Sequence, residues 1–131
     1  MEEILKIARK REFRAISLLT NLYYPEDHQD KVISLASKYD IGIHTSYDGL
    51  GEVADMLRGA KDVQATVERG MLKINELRSK GLYKGSPTAT VVVSALNIKQ
   101  LPMIIARLEE LNWSMNIDFY RWESSNHREN D

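Results

Sequence analysis

The sequence predicts an α/β fold: a partial, half TIM-like barrel of about four parallel βα units with its helices on one face of the sheet. Segments with helical and strand periodicity alternate along the 131 residues in the order αβαβαβαβ, with short connections. This order is typical of parallel strands joined by right-handed helical crossovers. Each predicted strand also alternates apolar and polar side chains, whereas a sheet covered by helices on both faces needs nearly continuous apolar strands. We therefore expect a curved sheet with an apolar back and a polar front.

Charge and apolar spacing predict four helices. Glu2 places negative charge at the start of the first helix, and Pro25 suits the first turn of the second. Gly81 follows the third as a stop, and Asn97 is expected to cap the fourth in a capping box with Gln100. The first helix groups Ile4, Leu5, Ile7 and Ala8 on its apolar side. The four predicted helices cover residues 2–10, about 25–39, 63–77 and 97–111. Gly81 marks the stop of the third helix.

Four strands are predicted over residues 14–20, 41–46, 88–94 and 114–122. Their apolar side chains share one face because side chains alternate across a strand. Leu19 and Val92 are exceptions, since they fall on the polar face. The expected polar face comprises Ser17, Asn21, His44, Ser46, Thr88, Thr90, Ser94, Asn116, Asp118 and Tyr120.

Composition and charge limit the classes of function. The chain has 43% hydrophobic and 28% charged residues and a formal net charge of −1, with both signs interleaved. We therefore expect a single domain over residues 1–122, followed by a polar and disordered tail over residues 123–131. The absence of a field of one sign argues against nucleic acid or a membrane as a partner. An acidic start and the lack of a long apolar run predict a cytoplasmic location.

Cysteine is absent from the sequence. Its absence excludes disulfides, a thiolate zinc site, a cysteine nucleophile and iron-sulfur ligation by this chain. The three histidines do not have metal-ligand spacing, so no metal site is expected.

The stretch from His44 to Gly59 is the candidate ligand site. Ser46 and Asp48 fall where the second predicted strand ends, and Arg58 follows a short helical turn later. Pockets in parallel α/β proteins form at the carboxyl ends of strands. A guanidinium suits bidentate recognition of a carboxylate, which favours a binding role for Arg58. Ser46 and Asp48 have an equally good interpretation as residues that shape the turn.

The same stretch resembles the radical S-adenosylmethionine (SAM) enzymes in the central to C-terminal part of their barrel. The resemblance rests on Leu-Leu-Thr-Asn ending at Asn21, Thr-Ser-Tyr-Asp-Gly at residues 45–49, Asp-Met-Leu-Arg-Gly at residues 55–59, and Val-Val-Val-Ser followed by Asn97. The resemblance extends over residues 11–120. Within the family, the chain is most similar to the peptide-modifying and maturase-like enzymes.

The resemblance implies roles for individual residues. Ser46 would contact the amino or ribose part of SAM, Arg58 its carboxylate, and Ser94 and Asn97 the sugar or methionine end. The implied cofactor-binding set is Ser46, Asp48, Arg58, Ser94 and Asn97. The substrate-side set is Asn21, His44, Asn116, Asp118 and Tyr120, of which the last three are equally well explained as solvated residues of an open half-barrel.

The chain also departs from the family. The cluster-binding Cys-x-x-x-Cys-x-x-Cys loop is absent, the usual glycine after Thr-Asn is Leu22, and the usual histidine before Asp55 is Ala54. The resemblance thus implies a fragment or split half of a radical SAM enzyme that cannot bind the iron-sulfur cluster alone and is inactive as an isolated chain. SAM would bind weakly, and a 4Fe-4S cluster would require a full-length relative or a partner chain.

Two other functions are open at this stage. One is a non-catalytic half-barrel that acts as a binding or assembly module, for example as a homo-oligomer in which a second copy covers its two free edges. The other is a flavodoxin-like nucleotide-binding domain. The missing N-terminal half-barrel is instead the partner that a split radical SAM enzyme would need.

Overall fold

The fold is described from a computed structural model, in which residues 1–119 are described. Helices and strands alternate along this part of the chain. The helices are α1 (Glu2–Lys10), α2 (Glu26–Lys38), α3 (Glu52–Arg58), α4 (Val63–Ser79) and α5 (Leu101–Glu110), with a 3-10 turn at Ile98–Gln100 directly before α5. The strands are β1 (Ser17–Leu19), β2 (Gly42–Ser46), β3 (Thr88–Val93) and β4 (Ser114–Phe119).

The four strands form one parallel sheet in the order β1-β2-β3-β4. Leu19 pairs with His44, His44 with Thr88, and Thr88 with Ser114, so the strands follow one another across the sheet in chain order. The predicted α/β class with a four-stranded parallel sheet is therefore confirmed.

One face of this sheet contributes to the hydrophobic core. Ile43 of β2 and Val91 of β3 are fully buried, and side chains of α2, α4 and α5 belong to the same core. The opposite face carries half-exposed polar side chains such as His44 and Thr90. Alternation of burial along β2 and β3 thus follows the sequence pattern. The helical members of the core include Ile33, Ala36, Val67, Met71, Ile74, Ile104 and Leu108.

The two apolar residues predicted on the polar face lie there. Leu19 is 80% exposed and Val92 is 37% exposed. Thr45, in contrast, is buried on the apolar face, and its hydroxyl has no hydrogen-bond partner among the described residues.

Several elements differ from the sequence prediction. β1 is only three residues long, and α3 is a helix of its own that the periodicity did not predict. In α1 only Leu5 is buried, whereas Ile4 and Ile7 are 70% and 59% exposed. α1 precedes β1, which is an edge strand of the sheet, and these two side chains of α1 are not covered by the described part of the chain.

Part of the prediction lies outside the described residues. Tyr120, the last residues of the predicted fourth strand and the predicted tail over residues 123–131 all belong to that part. Within residues 1–119, no helix combines the length and apolar character needed to cross a membrane.

Candidate functional site

A cavity of about 200 Å³ lies at the carboxyl ends of β1 and β2. It brings together three residues that the sequence predicted for two different roles, since Ser46 and Arg58 were cofactor candidates and Asn21 a substrate candidate. Its walls are formed by Asn21, Tyr23, Ser46, Arg58, Ala60, Val63 and Val67. The cavity therefore combines apolar walls with a hydroxyl, an amide and a guanidinium.

Arg58 reaches this cavity from the last turn of α3. Gly59, which ends the helix, has a left-handed backbone with φ of 61°, a conformation that glycine adopts without strain. One guanidinium nitrogen, Nη2, lies 2.5 Å from Asp48 Oδ2. Within residues 1–119 the other nitrogens of Arg58 donate no hydrogen bond. One edge of the guanidinium is thus held while donors remain for a ligand.

Asp48 both shapes the turn and orients Arg58. Its Oδ1 accepts a hydrogen bond of 2.8 Å from the backbone N–H of Val92, and its Oδ2 pairs with Arg58. The two interpretations of Asp48 are therefore compatible, because each uses a different carboxylate oxygen.

Asp55, the first residue of the Asp-Met-Leu-Arg-Gly motif, connects α3 to the start of α4. Its carboxylate accepts hydrogen bonds from the backbone N–H groups of Asp62 (3.2 Å) and Val63 (2.9 Å) at the start of α4. These groups have no partner within a helix, so the carboxylate caps α4 and favours its dipole. The motif thus joins α3 to α4 and leaves Arg58 at the cavity.

Asn97 is buried, with 1% of its surface exposed, and its amide bonds only to the backbone. Nδ2 donates to the carbonyls of Asp48 (2.7 Å) and Val92 (2.8 Å), and Oδ1 accepts from the N–H of Ser94 (2.8 Å). The predicted capping box is wrong, because Asn97 makes no side-chain cap and the amide of Gln100 bonds to the backbone of Leu50. Asn97 and Ser94 therefore form the turn beside Asp48 and do not line the cavity.

The other substrate-side candidates spread across the polar face. A Cβ built on Gly42 would lie 3.1 Å from Ser17 Oγ and 3.8 Å from His44 Nε2, so both side chains approach that glycine. Asn116 and Asp118 are exposed on β4, in register with Thr90 and Val92 of β3. The fold thus does not bring these residues into the cavity.

Leu22 occupies a position that favours glycine. Its φ is 53°, in the left-handed region, and its side chain is fully buried. Side chains with a Cβ rarely adopt this conformation, whereas glycine adopts it without strain. Burial of the leucine side chain offsets strain of about 1–3 kcal/mol.

Sequence reasoning missed a buried polar network behind the cavity. The Tyr47 hydroxyl donates to Glu68 Oε1, as does Gln64 Nε2 at 2.9 Å. Arg107 binds the same carboxylate with two nitrogens, Nε to Oε1 at 3.0 Å and Nη2 to Oε2 at 2.6 Å, and it also pairs with Glu110. The contacts of Glu68 with Tyr47 and with Arg107 join residues 21 and 39 positions apart, so local spacing carried no signal for them.

The network shifts the pKa values of its members. Burial opposes ionisation of Glu68, but hydrogen bonds from Arg107, Tyr47 and Gln64 outweigh it and lower the pKa of Glu68 to about 2. Burial and the bond to Glu68 raise the pKa of Tyr47 well above its ordinary value. Hydrogen bonds to Glu68 and Glu110 likewise raise the pKa of Arg107. The carboxylate of Glu68 is thus held as an anion.

An iron-sulfur cluster does not fit this chain. The sequence has no cysteine, and residues 1–119 contain no group of three or more histidine, aspartate or glutamate side chains that could hold a metal ion.

Comparisons with family models, curated proteins and solved structures found no match.

Proposed function

We propose that this chain is a radical-SAM-like half-barrel that binds the amino-acid end of SAM in the cavity beside Arg58. The observation that carries the proposal is the convergence of Asn21, Ser46 and Arg58 on one cavity at the carboxyl end of a parallel sheet. Ligands of open α/β sheets bind at this end.

The chemistry of the cavity suits a carboxylate. Asp48 holds one edge of the Arg58 guanidinium, and the remaining donors can bind a second carboxylate with paired hydrogen bonds. Asp48 also neutralises part of the positive charge, which limits affinity. At about 200 Å³ the cavity is below the roughly 300–1,000 Å³ of drug-sized ligand pockets. It therefore accommodates the methionine portion of SAM, and the nucleoside would extend beyond it.

Two features of the fold support a half-barrel. The strand order β1-β2-β3-β4 moves in one direction across the sheet, and one core contains side chains from all five helices of the described part. A flavodoxin-like domain requires a reversal of strand order at its binding site, so this order favours the barrel. The left-handed Leu22 adds support, because it stands where the resembling family uses glycine.

Radical chemistry needs a group that this chain does not supply. Reductive cleavage of SAM requires a 4Fe-4S cluster, and no thiolate exists here to ligate one. We therefore propose that the chain contributes SAM and substrate contacts, and that it has no radical activity in isolation.

Ligand-observed NMR with SAM, methionine and adenosine tests this proposal. We expect SAM and methionine to bind with roughly millimolar affinity, because each charge-assisted hydrogen bond contributes only about 1.5–3 kcal/mol before the entropy cost of association. Adenosine alone should give no signal. Arg58→Ala should abolish binding of both amino-acid ligands.

Arg69→Ala is the matched control. Arg69 is 35% exposed and pairs with Glu26, while Arg58 is 36% exposed and pairs with Asp48. Arg69 does not line the cavity, so its variant should bind like the wild type. Arg107 is unsuitable as a neutral control, because it holds the buried Glu68. Equal signals from the Arg58 and Arg69 variants would contradict the proposed role of Arg58.

The second candidate is a non-catalytic assembly module. Exposed apolar side chains at both ends of the sheet, on α1 and on β4, favour it. Absence of SAM and methionine binding in a protein that self-associates would support this function instead.

A further inference from the structure

The two ends of the four-stranded sheet leave complementary surfaces uncovered. One end is β1 with α1, and the other end is β4. Within residues 1–119 neither β1 nor β4 has a strand on its outer side. An unpaired parallel edge exposes backbone donors and acceptors that another strand can bind.

At the first end, α1 presents one side to α2 and leaves another side free. Glu2 pairs with Lys38 at 2.7 Å, and Arg9 Nη2 donates to the carbonyl of Asp40 at 2.5 Å, so these residues mark the side toward α2. Ile4 and Ile7 lie about half a turn away on the helix and are 70% and 59% exposed. An apolar stripe thus faces away from the rest of the molecule.

At the other end, the apolar face of the sheet continues beyond its helical cover. Ala89, Val91 and Val93 are buried and pair in register with Met115, Ile117 and Phe119 of β4. Ile117 and Phe119 lie on the same face, yet they are 39% and 67% exposed. No helix among the described residues covers these two side chains.

We propose that two copies of this chain close into an eight-stranded barrel with two-fold symmetry, β4 of each copy pairing in parallel with β1 of the other. This inference rests on the half-barrel of the proposed function. Each strand of the chain is preceded by a helix, so α1 of the second copy would lie over the new seam between β4 and β1. Ile4 and Ile7 would then cover Ile117 and Phe119.

Charge and geometry agree with a second copy as the occupant. Lys10 is the last residue of α1, and Glu109 lies near the end of α5. The guanidinium of Arg107 binds Glu68 of α4, and Glu109 lies about half a turn around α5 from Arg107, on the side away from α4. In the closed dimer α1 would run beside α5 of the other copy, with these opposite charges at the same level. A rotation about the barrel axis also keeps all strands parallel.

The strand count supports closure by two copies. Two sheets of four strands make eight, the number at which a closed barrel is just filled by its inward side chains. The polar face with His44, Thr90 and Asn116 would become the interior. Sheets of only parallel strands occur almost exclusively with both faces covered, and closure satisfies this condition.

Light scattering during size-exclusion chromatography, without SAM, tests the assembly. We expect the 131-residue chain to have twice the 15.0 kDa mass of one copy. Ile4→Glu with Ile7→Glu should give a folded monomer, because these side chains are exposed within one copy. The control Leu72→Glu with Met103→Glu changes two side chains that are 53% and 54% exposed on outer helix faces, and it should remain dimeric.

Cross-linking tests the pairing of the ends, and the natural chain has no cysteine to interfere. Chains carrying either Ile7→Cys with Ile117→Cys or Ile4→Cys with Phe119→Cys should form disulfide-linked dimers on oxidation. Within one chain the ends are three strand spacings apart, roughly 14 Å, beyond the reach of about 7 Å between the Cα atoms of a disulfide. Ile7→Cys alone should not cross-link, since the two α1 helices lie on opposite sides of the barrel.

The outcomes separate this inference from the proposed function. A monomeric wild type, a dimer that survives Ile4→Glu with Ile7→Glu, or a dimer in which neither cysteine pair cross-links would overturn it. Failure to bind SAM in a dimer that cross-links as expected would remove the ligand proposal and leave the dimer intact.

Discussion

The side chain of Asn97 uses its whole amide to join three backbone groups. It connects the turn after β2, through the carbonyl of Asp48, to the end of β3, through Val92 and Ser94. Asp48 in turn orients Arg58. A residue outside the cavity therefore sets the position of the guanidinium inside it.

We expect Asn97→Ala to lower the free energy of unfolding by about 2–4 kcal/mol, because it leaves buried donors and acceptors without partners. Asn97→Asp should be at least as harmful, since a carboxylate cannot donate to the carbonyls of Asp48 and Val92. Urea denaturation measures both. Lys99→Ala, at an exposed position two residues after Asn97, should change stability by less than about 0.5 kcal/mol. A stable Asn97→Asp protein would contradict the assigned hydrogen bonds.

At the level of elements, α2 and α4 meet where Gly70 faces Gln29. Gln29 is fully buried, and its Nε2 donates to the carbonyls of Leu22 (2.6 Å) and Thr66 (2.9 Å). A Cβ on Gly70 would lie 2.8 Å from that nitrogen, closer than such atoms approach. The glycine therefore allows the two helices to enclose a polar side chain.

Gly70→Ala should destabilise the protein by about 1–3 kcal/mol, the usual cost of overpacking, although alanine is about 1 kcal/mol better than glycine within a helix. Gln29→Ala removes the obstructing amide, so the double variant should be more stable than the sum of the single effects predicts. Thermal or urea unfolding of all four proteins measures this coupling. Additive effects would mean that Gly70 and Gln29 do not constrain each other.

Across the whole molecule, Glu68 connects the end of β2, α4 and α5. Its carboxylate binds Tyr47, Gln64 and Arg107, and only 12% of its side chain is exposed. Loss of this anion would leave the Arg107 guanidinium without its main partner. The stability of the packed helices therefore depends on the charge of one side chain.

The lowered pKa of Glu68 predicts the direction of a pH effect. Its ionised form is favoured by folding, so its contribution is complete above the ordinary pKa of 4.5 and is lost as pH falls toward about 2. Glu68→Gln should cost about 1.5–3 kcal/mol at pH 7, the range for hydrogen bonds to charged groups. The difference from wild type should shrink steadily between pH 4.5 and pH 2. Urea unfolding across this range measures it, and a difference independent of pH would contradict an ionic role.

Exposed Glu76 provides the comparison for this effect. Its carboxylate pairs with Lys80 on the surface of α4, and the hydrogen bond from Lys80 lowers the pKa of Glu76. Surface pairs contribute little to stability because solvent screens them, so Glu76→Gln should leave the free energy of unfolding nearly unchanged at any pH.

Local patterns in the sequence were sufficient for the order of the four strands and of every helix except α3. The apolar spacing from Val63 to Leu77 predicted α4, and Gly81, with φ of 70°, follows its end as expected. Alternation in β2 and β3 predicted which side chains are buried. These features depend on neighbours within a few positions, so a single sequence contains the information for them.

Only part of the candidate site could be predicted from local sequence patterns. Ser46 and Arg58 were found because pockets follow strand ends, and the cavity contains both. Asn97 was predicted to cap a helix or to bind a ligand, whereas its side chain hydrogen-bonds to backbone groups of two neighbouring segments. The pairing of Glu68 with Arg107, the enclosure of Gln29 at Gly70 and the exposure of Ile4 and Ile7 followed only from tertiary packing. Each depends on which segments lie side by side, and that arrangement comes from the balance of burial and hydrogen bonding over the whole chain.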